Sequence, residues 1–413
     1  MPDVERSYPH HLAACVRAGW PADAAPLPSR LEVLLDTAYH ASFLRDEERP
    51  VACRILVLPP SSLPPEEGPP TGLLPLPFES PRRFDEDELR RLSPAANVNR
   101  ALIGVQDAGE ALVTWGLVQS GPRWLQGARG GRAREPPMPR TLVIRVVRPG
   151  HVIVACGSRN VAELRGGQLS DFTLDIFQSQ WLPALFEQER QALVAEYLSS
   201  GRAPLDADVA ATLSAHLGRQ MLKRVIATIR ASHHGGTVIV GPPHCMAERF
   251  LQIKYPFLDS PARRRYRALL LEIMATVAAA EEPPSDPEVY LLDPHGHAAE
   301  LDEGLFETSH LIAALAQVDG AVLLTKRFEI LGFGAEIAGS LPLIHDVRRG
   351  LDLEATRCST EVVDDVGTRH RSAYRLCAAV PGTLAIVVSQ DGGVRFVTQH
   401  RGAVTYWDHG AGD

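Results

Sequence analysis

Apolar and polar positions change rhythm several times along the chain. Residues 1 to about 58 carry helical spacing, most clearly in SRLEVLLDTAYHASFL, and then the short apolar strand CRILVLPP. Pro59 to Arg83 is rich in proline and has no period, so it is expected to be a loop, because proline withholds the N–H that helices and sheet ladders need. From about Asn97 to Cys156 the runs RALIGVQDAG, EALVTWGLVQSG and RTLVIRVVRPGHVIVAC predict short strands, with Pro149-Gly150 at a hairpin turn. The stretch SDFTLDIFQSQWLPALFEQERQALVAEYLSS returns to near-helical spacing and reads as a connection, which sets a boundary near residue 205.

The second half opens with the helical pattern VAATLSAHLGRQMLKRVIATIRASHH, stopped by Gly235-Gly236 and followed at once by the β-branched strand TVIVG. The apolar runs GAVLL and LAIVVS alternate with helical segments, as strands do in an α/β sheet covered on both faces. The expected fold is therefore α/β. A β-rich α+β domain spans residues 1–205, and a mixed twisted sheet flanked by helices spans residues 206–413. A length of 413 residues fits this division, since a single core stops growing well before that size.

Composition narrows the classes. With 45% hydrophobic and 22% charged residues the chain can bury a core, which excludes a disordered protein. A net charge of -8 argues against nucleic acid or an anionic membrane as partner, so any anion site must be a local basic patch. The six cysteines show no CxxC spacing, which fits neither a zinc knuckle nor a disulfide framework and suits a reducing cytoplasm. No secretory leader is expected at MPDVERSYPHHLAAC. The longest apolar segment, Ala268 to Ala280, is short and contains Glu272, so no membrane span is expected.

Two segments carry candidate chemistry. The first is Asp319-Gly320-Ala321 in VDGAVLLTKRFEILGFGAEI, where the helix HLIAALAQV gives way to a buried strand. It puts a carboxylate at a strand edge beside two residues small enough for a ligand to approach the backbone. The second is Gly367-Thr368-Arg369-His370-Arg371-Ser372-Ala373, which opens the helix RHRSAYRLCAAV. A helix start already presents unpaired N–H groups and partial positive charge, so a threonine, two arginines and a histidine there make a site for phosphates.

DGA, then GTRHRSA, then LAIVVSQDGG in this order resembles the diadenylate cyclase family, and MLKRVIATIRASHHGGTVIVG extends the resemblance to roughly residues 210 to 413. The resemblance implies an enzyme that condenses two ATP molecules into cyclic di-AMP and two pyrophosphates. Asp319 is then the ligand of a Mg2+ or Mn2+ ion and helps activate the ribose 3′-hydroxyl. Gly320 and Ala321 shape the nucleotide pocket, and Gly367, Thr368, Arg369, His370 and Arg371 hold phosphates. Ser389 and Gln390 contact the nucleotide, Asp391 stands where many members have a glutamate near the metal, and Ile337 takes the place of a leucine whose backbone reads adenine. Each subunit of the family holds one ATP and two meet face to face, which implies a symmetric homodimer. An appended sensor domain is common in such cyclases and implies a regulatory N-terminal domain with a signal ligand of unnamed chemistry. The chain departs from the family at Ile337-Ala338, where many members read leucine-proline, and in Gly339 to Val366, a longer connection that could gate the site or alter docking.

Other readings have less support. GGQLSDFTLD, with Gly166, Gly167, Asp171 and Asp175, has its carboxylates four apart, where a polymerase-type transferase needs them two apart on a strand. His295 and His297 lack a third metal ligand, and RRRYR at 263–267 reads as an exposed helical face. GxxxxGK[ST], HExxH and GxSxG are absent. Two alternatives stay open: a catalytically degenerate module that binds nucleotide without making product, and a scaffold whose N-terminal domain binds a partner.

Overall fold

A computed structural model of the chain describes residues 7–64, 68–69, 72–121, 138–171, 174–232, 234–242, 250–279, 297–337, 341, 343–363, 366–390 and 392–410. It is a mixed α/β protein of two compact units that meet in sequence at Thr173 and Leu174. No helix among the described residues is long and apolar enough to cross a membrane.

The first unit contains helices α1 (Pro9–Gly19), α2 (Leu31–Ala41) and α3 (Glu86–Leu92). Its strands are β1 (Arg45–Asp46), β2 (Arg49–Pro50), β3 (Cys53–Val57), β4 (Leu74–Arg83), β5 (Ala101–Asp107), β6 (Leu112–Gln119), β7 (Leu142–Arg148), β8 (His151–Cys156), β9 (Arg159–Arg165) and β10 (Gln168–Asp171). Apart from the short β1–β2 pair, they form an eight-stranded sheet in the order β10-β9-β8-β7-β3-β5-β6-β4. The expected strands of residues 97–156 are present, and Gly150 takes the left-handed conformation at the β7–β8 turn. The helices cover one sheet face, where Leu12, Leu34 and Leu89 pack on Ile55, Ile103 and Ile144.

One expectation for this unit is corrected. Pro59 to Arg83 is not all loop, because Leu74–Arg83 is β4, paired antiparallel with β6 at the sheet edge. An edge strand tolerates Pro75, Pro77 and Pro81 because one side of it has no neighbour to donate to, and the pairing shifts register between Pro77 and Arg82. Gly166 and Gly167 have a structural role, turning β9 into β10 with φ of 55° and 79°.

The second unit contains α4 (Trp181–Ser199), α5 (Ala207–Ala231), α6 (Arg265–Ala278), α7 (His297–Leu315) and α8 (Thr368–Ala379). Its strands are β11 (Gly236–Gly241), β12 (Leu251–Pro256), β13 (Ala321–Thr325), β14 (Ile330–Ile337), β15 (Asp346–Gly350), β16 (Cys358–Val362), β17 (Leu384–Val388), β18 (Val394–His400) and β19 (Ala403–His409). They form one nine-stranded sheet, β12-β14-β13-β11-β17-β18-β19-β15-β16. The helix α4, read from sequence as a connection ahead of a boundary at 205, packs Trp181, Leu193 and Tyr197 into the same core as α5, α6 and α7. At roughly 1.5–3 kcal/mol per buried large apolar side chain, that packing explains why the units divide upstream of α4.

Alternation along the strands assigns the two sheet faces. Val238, Val322, Leu324, Ile386 and Val388 join the core beneath α4–α7. Ile239, Ala321, Leu323, Ala385 and Val387 face α8, whose Ala373, Leu376 and Cys377 lie in the clusters on that side. The long Gly339–Val366 connection supplies β15 and β16, a hairpin that extends the sheet beyond β19. Its turn is bound to the core, since the indoles of Trp407 and Trp181 donate to the Asp352 and Leu353 carbonyls.

Several positions run against local preference, among them Ala355 and Arg401 with left-handed φ of 47° and 48°. Gly218 lies in the middle of α5, where glycine costs about 1 kcal/mol relative to alanine. Phe328, in the turn from β13 to β14, has φ 58°, a left-handed conformation that costs an aromatic residue on the order of 1–3 kcal/mol. The expected exposed face at RRRYR also differs, because Tyr266 is buried and Arg267 pairs with Glu196 of α4.

Candidate functional site

Strand direction brings the candidate segments to one edge of the nine-stranded sheet. β11 and β13 run parallel with Thr237 opposite Ala321, and β17 runs antiparallel to β11 with Gly236 opposite Val388. The start of β13, the start of β11 and the end of β17 are therefore level. β14 runs antiparallel to β13 with Ala321 opposite Ala335, which brings Ile337 to the same edge. Asp319, Gly320, Ser389 and Gln390 sit in the connections at that edge.

The basic segment arrives there through α8. Gly367 is its N-cap, and Thr368, Arg369, His370 and Arg371 are its first turn. The helix returns through Pro381-Gly382 into β17 and packs along it, so the two run in opposite directions. Twelve helical residues rise about 18 Å and five strand residues about 16 Å, so the first turn of α8 ends level with Ser389. The side chain of Ala321 and the body of α8 share one sheet face.

The backbone at this edge is shaped by close approach. Gly320 has φ 104°, and a Cβ added there would lie 2.7 Å from the carbonyl carbon of Gly334. Only glycine fits. Gly235, with φ 71°, is pressed against the Val388 carbonyl in the same way, and a Cβ there would come within 2.9 Å of the Gln390 nitrogen. From sequence the Gly235-Gly236 pair reads only as a helix stop. Its second role, admitting the β17–β18 turn, could have been suspected from two successive glycines at a helix-to-strand junction.

Side chains at the edge differ in how firmly they are held. Asp319, Arg369 and Arg371 are exposed and form no ion pair among the described residues. The His370 ring lies 6.4 Å from that of Tyr374 one turn later, and the Tyr374 hydroxyl accepts from Arg395, itself paired with Asp408. The Ser389 hydroxyl donates to the Gly393 carbonyl at 3.1 Å within the β17–β18 turn, so a nucleotide contact would compete with that bond. Ile337 is half-buried against the cluster that contains Leu251, Ala321 and Leu376. Burial pushes the Cys377 thiol on α8 up to about 12, which makes it a packing group.

Asp391 and His295 lie outside the described residues, as does the side chain of His297. Among the described residues no group of three His, Cys, Asp or Glu side chains could hold a metal by itself. An exposed lone carboxylate such as Asp319 fits a Mg2+ or Mn2+ ion of a different kind, one bound by one or two carboxylates together with substrate phosphates and water.

Comparison with known proteins places a second landmark, in the first unit. Residues 20–119 match the family model described as "Probable sensor domain DACNV". The sensor-domain segment runs from α2 through β6 and takes in the edge strand β4. No curated protein matches the chain. Outside the segment, β7 completes the sheet beside β3, with Arg145 directly opposite Arg54. Both arginines are buried on the sheet face away from the helices, where Arg54 donates to the Ser120 hydroxyl and Arg145 to the Asn160 side-chain oxygen.

Proposed function

We propose that the second unit is a diadenylate cyclase, condensing two ATP into cyclic di-AMP and two pyrophosphates, and that the first unit regulates it as a sensor. The observation that carries this reading is that Asp319-Gly320 and the Thr368–Arg371 turn, far apart in sequence, reach one sheet edge with Ala321 and α8 on one face. The match of residues 20–119 to a sensor-domain model supports the regulatory half.

The chain's own groups divide the work. Backbone N–H groups at the start of α8, with Arg369, His370 and Arg371, hold the triphosphate by charge-assisted hydrogen bonds. Gly320 keeps the β13 entrance free of side chain where the ribose must approach. Asp319 orients the 3′-hydroxyl and takes up its proton as the oxygen bonds to the α-phosphorus of the second ATP, while the bond to pyrophosphate breaks in line. A Mg2+ or Mn2+ ion held by Asp319, and by Asp391 as the family resemblance has it, supplies charge neutralisation for the phosphate oxygens. Because each subunit offers one such edge, two copies related by a two-fold axis complete the reaction.

The test is incubation of the purified full chain with ATP and either Mg2+ or Mn2+, followed by mass spectrometry. Cyclic di-AMP is expected in both the metal and the ATP dependence. ATP binding without product under every metal tried would overturn catalysis and leave a nucleotide-binding module.

A further inference from the structure

On the sheet face away from α8, the second unit contains a solvent-open cleft between α4, α5 and the turn that joins β13 to β14. It lies at the far end of β13 from Asp319. Its walls are apolar, with Leu182, Phe186, Leu222, Tyr266 and Phe328 among them, and its margin carries Arg190, Arg219 and Lys326. Arg190 is paired with Glu187 on its own helix and Arg327 of the turn with Glu189, whereas Arg219 is exposed to solvent.

Gly218 and Phe328 both border the cleft. Phe328 holds its left-handed backbone because Thr325 clamps the turn, accepting from the Arg327 and Glu329 nitrogens at its hydroxyl and from the Phe328 nitrogen at its carbonyl. The result is an aromatic wall, with the Phe328 ring stacked 5.8 Å from Phe186 and tilted 4.7 Å from Tyr266. A Cβ added to Gly218 would sit 3.6 Å from both the Phe328 ring and the Tyr266 hydroxyl, an ordinary contact. Crowding of the backbone therefore does not require glycine there. What glycine preserves is the open volume of the cleft.

We propose that this cleft binds a small amphipathic organic anion, an aromatic body bearing a single carboxylate or sulfonate. The flat apolar walls suit the aromatic body, and the cations at the margin suit the acid group. The inference stands apart from the nucleotide reading, since it uses no residue of the Asp319 edge.

The probe is 8-anilinonaphthalene-1-sulfonate, titrated into the full chain by calorimetry with fluorescence as a second readout. One saturable site per chain is expected. Gly218→Leu fills the cleft and is expected to weaken binding at least tenfold with cooperative unfolding retained. Should that variant not fold, Gly218→Ala, which favours the helix, is expected to weaken binding two- to threefold. Lys326→Met is expected to weaken the sulfonate at least threefold and to leave the neutral N-phenyl-1-naphthylamine unchanged. Unchanged probe affinity in the folded Gly218 variant, equal losses for charged and neutral probes, or a probe-driven halving of mass in light scattering, which would make a second copy the occupant, would each overturn the proposal.

Discussion

The two units of this chain carry opposite kinds of information. The first matches a known sensor-domain model over residues 20–119, and its distinctive polar residues, Arg54 and Arg145, are buried side by side on a sheet face. In the second the distinctive residues are exposed at strand and helix ends, where Asp319, Arg369 and Arg371 share one edge. A buried polar residue constrains the fold, and its replacement is felt as lost stability. An exposed residue on a connection constrains little of the fold, so its presence there is better explained by chemistry. Similarity thus identifies the frame of one half, and geometry the candidate edge of the other.

Substitutions can break this contrast, and the largest effect is expected at Asp319. Asp319→Asn should reduce cyclic di-AMP formation at least about 1000-fold, or about 4 kcal/mol of transition-state stabilisation, with the melting temperature within a degree of the parent. A drop in stability of comparable size would make Asp319 a structural residue. Its neighbour should behave in reverse. Gly320→Val places a Cβ against the Gly334 backbone at a positive φ and should cost about 3 kcal/mol in denaturant unfolding.

Acid sharpens the comparison from the buried side. His409, buried between Phe177 and Phe396, accepts a hydrogen bond from the Ile176 nitrogen, and burial lowers its pKa from 6.5 to about 4 despite Asp175 nearby. The folded imidazole stays neutral while the unfolded one takes up a proton as pH falls below 6.5. Its contribution is therefore complete above that pH and is lost toward pH 4, at about 1.4 kcal/mol per pH unit. Urea unfolding at a series of pH values should show this slope, and His409→Gln, which keeps an acceptor, should flatten it. The smallest effect is expected for Arg369→Ala: about a fivefold rise in KM for ATP, with unchanged circular dichroism, since one exposed arginine among several phosphate contacts is worth about 1 kcal/mol.

Much of this was legible in the sequence. Local period found the β7–β8 hairpin, α5, β11, β13, α8 and β17, because each is a continuous run whose pattern matches its burial. It missed β4, where proline composition outweighed the fact that an edge strand needs only one bonded side. It misread α4, since nothing in WLPALFEQERQALVAEYLSS says which of two cores its apolar face will join. The candidate segments were legible as chemistry, one acidic and one basic. Their meeting was not, because it depends on the register of β11, β13 and β17, a relation among distant strands that no local window contains.

The position of β19 has a consequence for how the protein is made. It lies between β18 and β15, so the hairpin of β15 and β16 reaches the sheet only through a strand translated after α8, β17 and β18. During synthesis that hairpin must wait with an open pairing edge. A ribosome that stalls before Ala403 would leave the edge exposed to a neighbouring nascent chain, and aggregation would be the expected outcome.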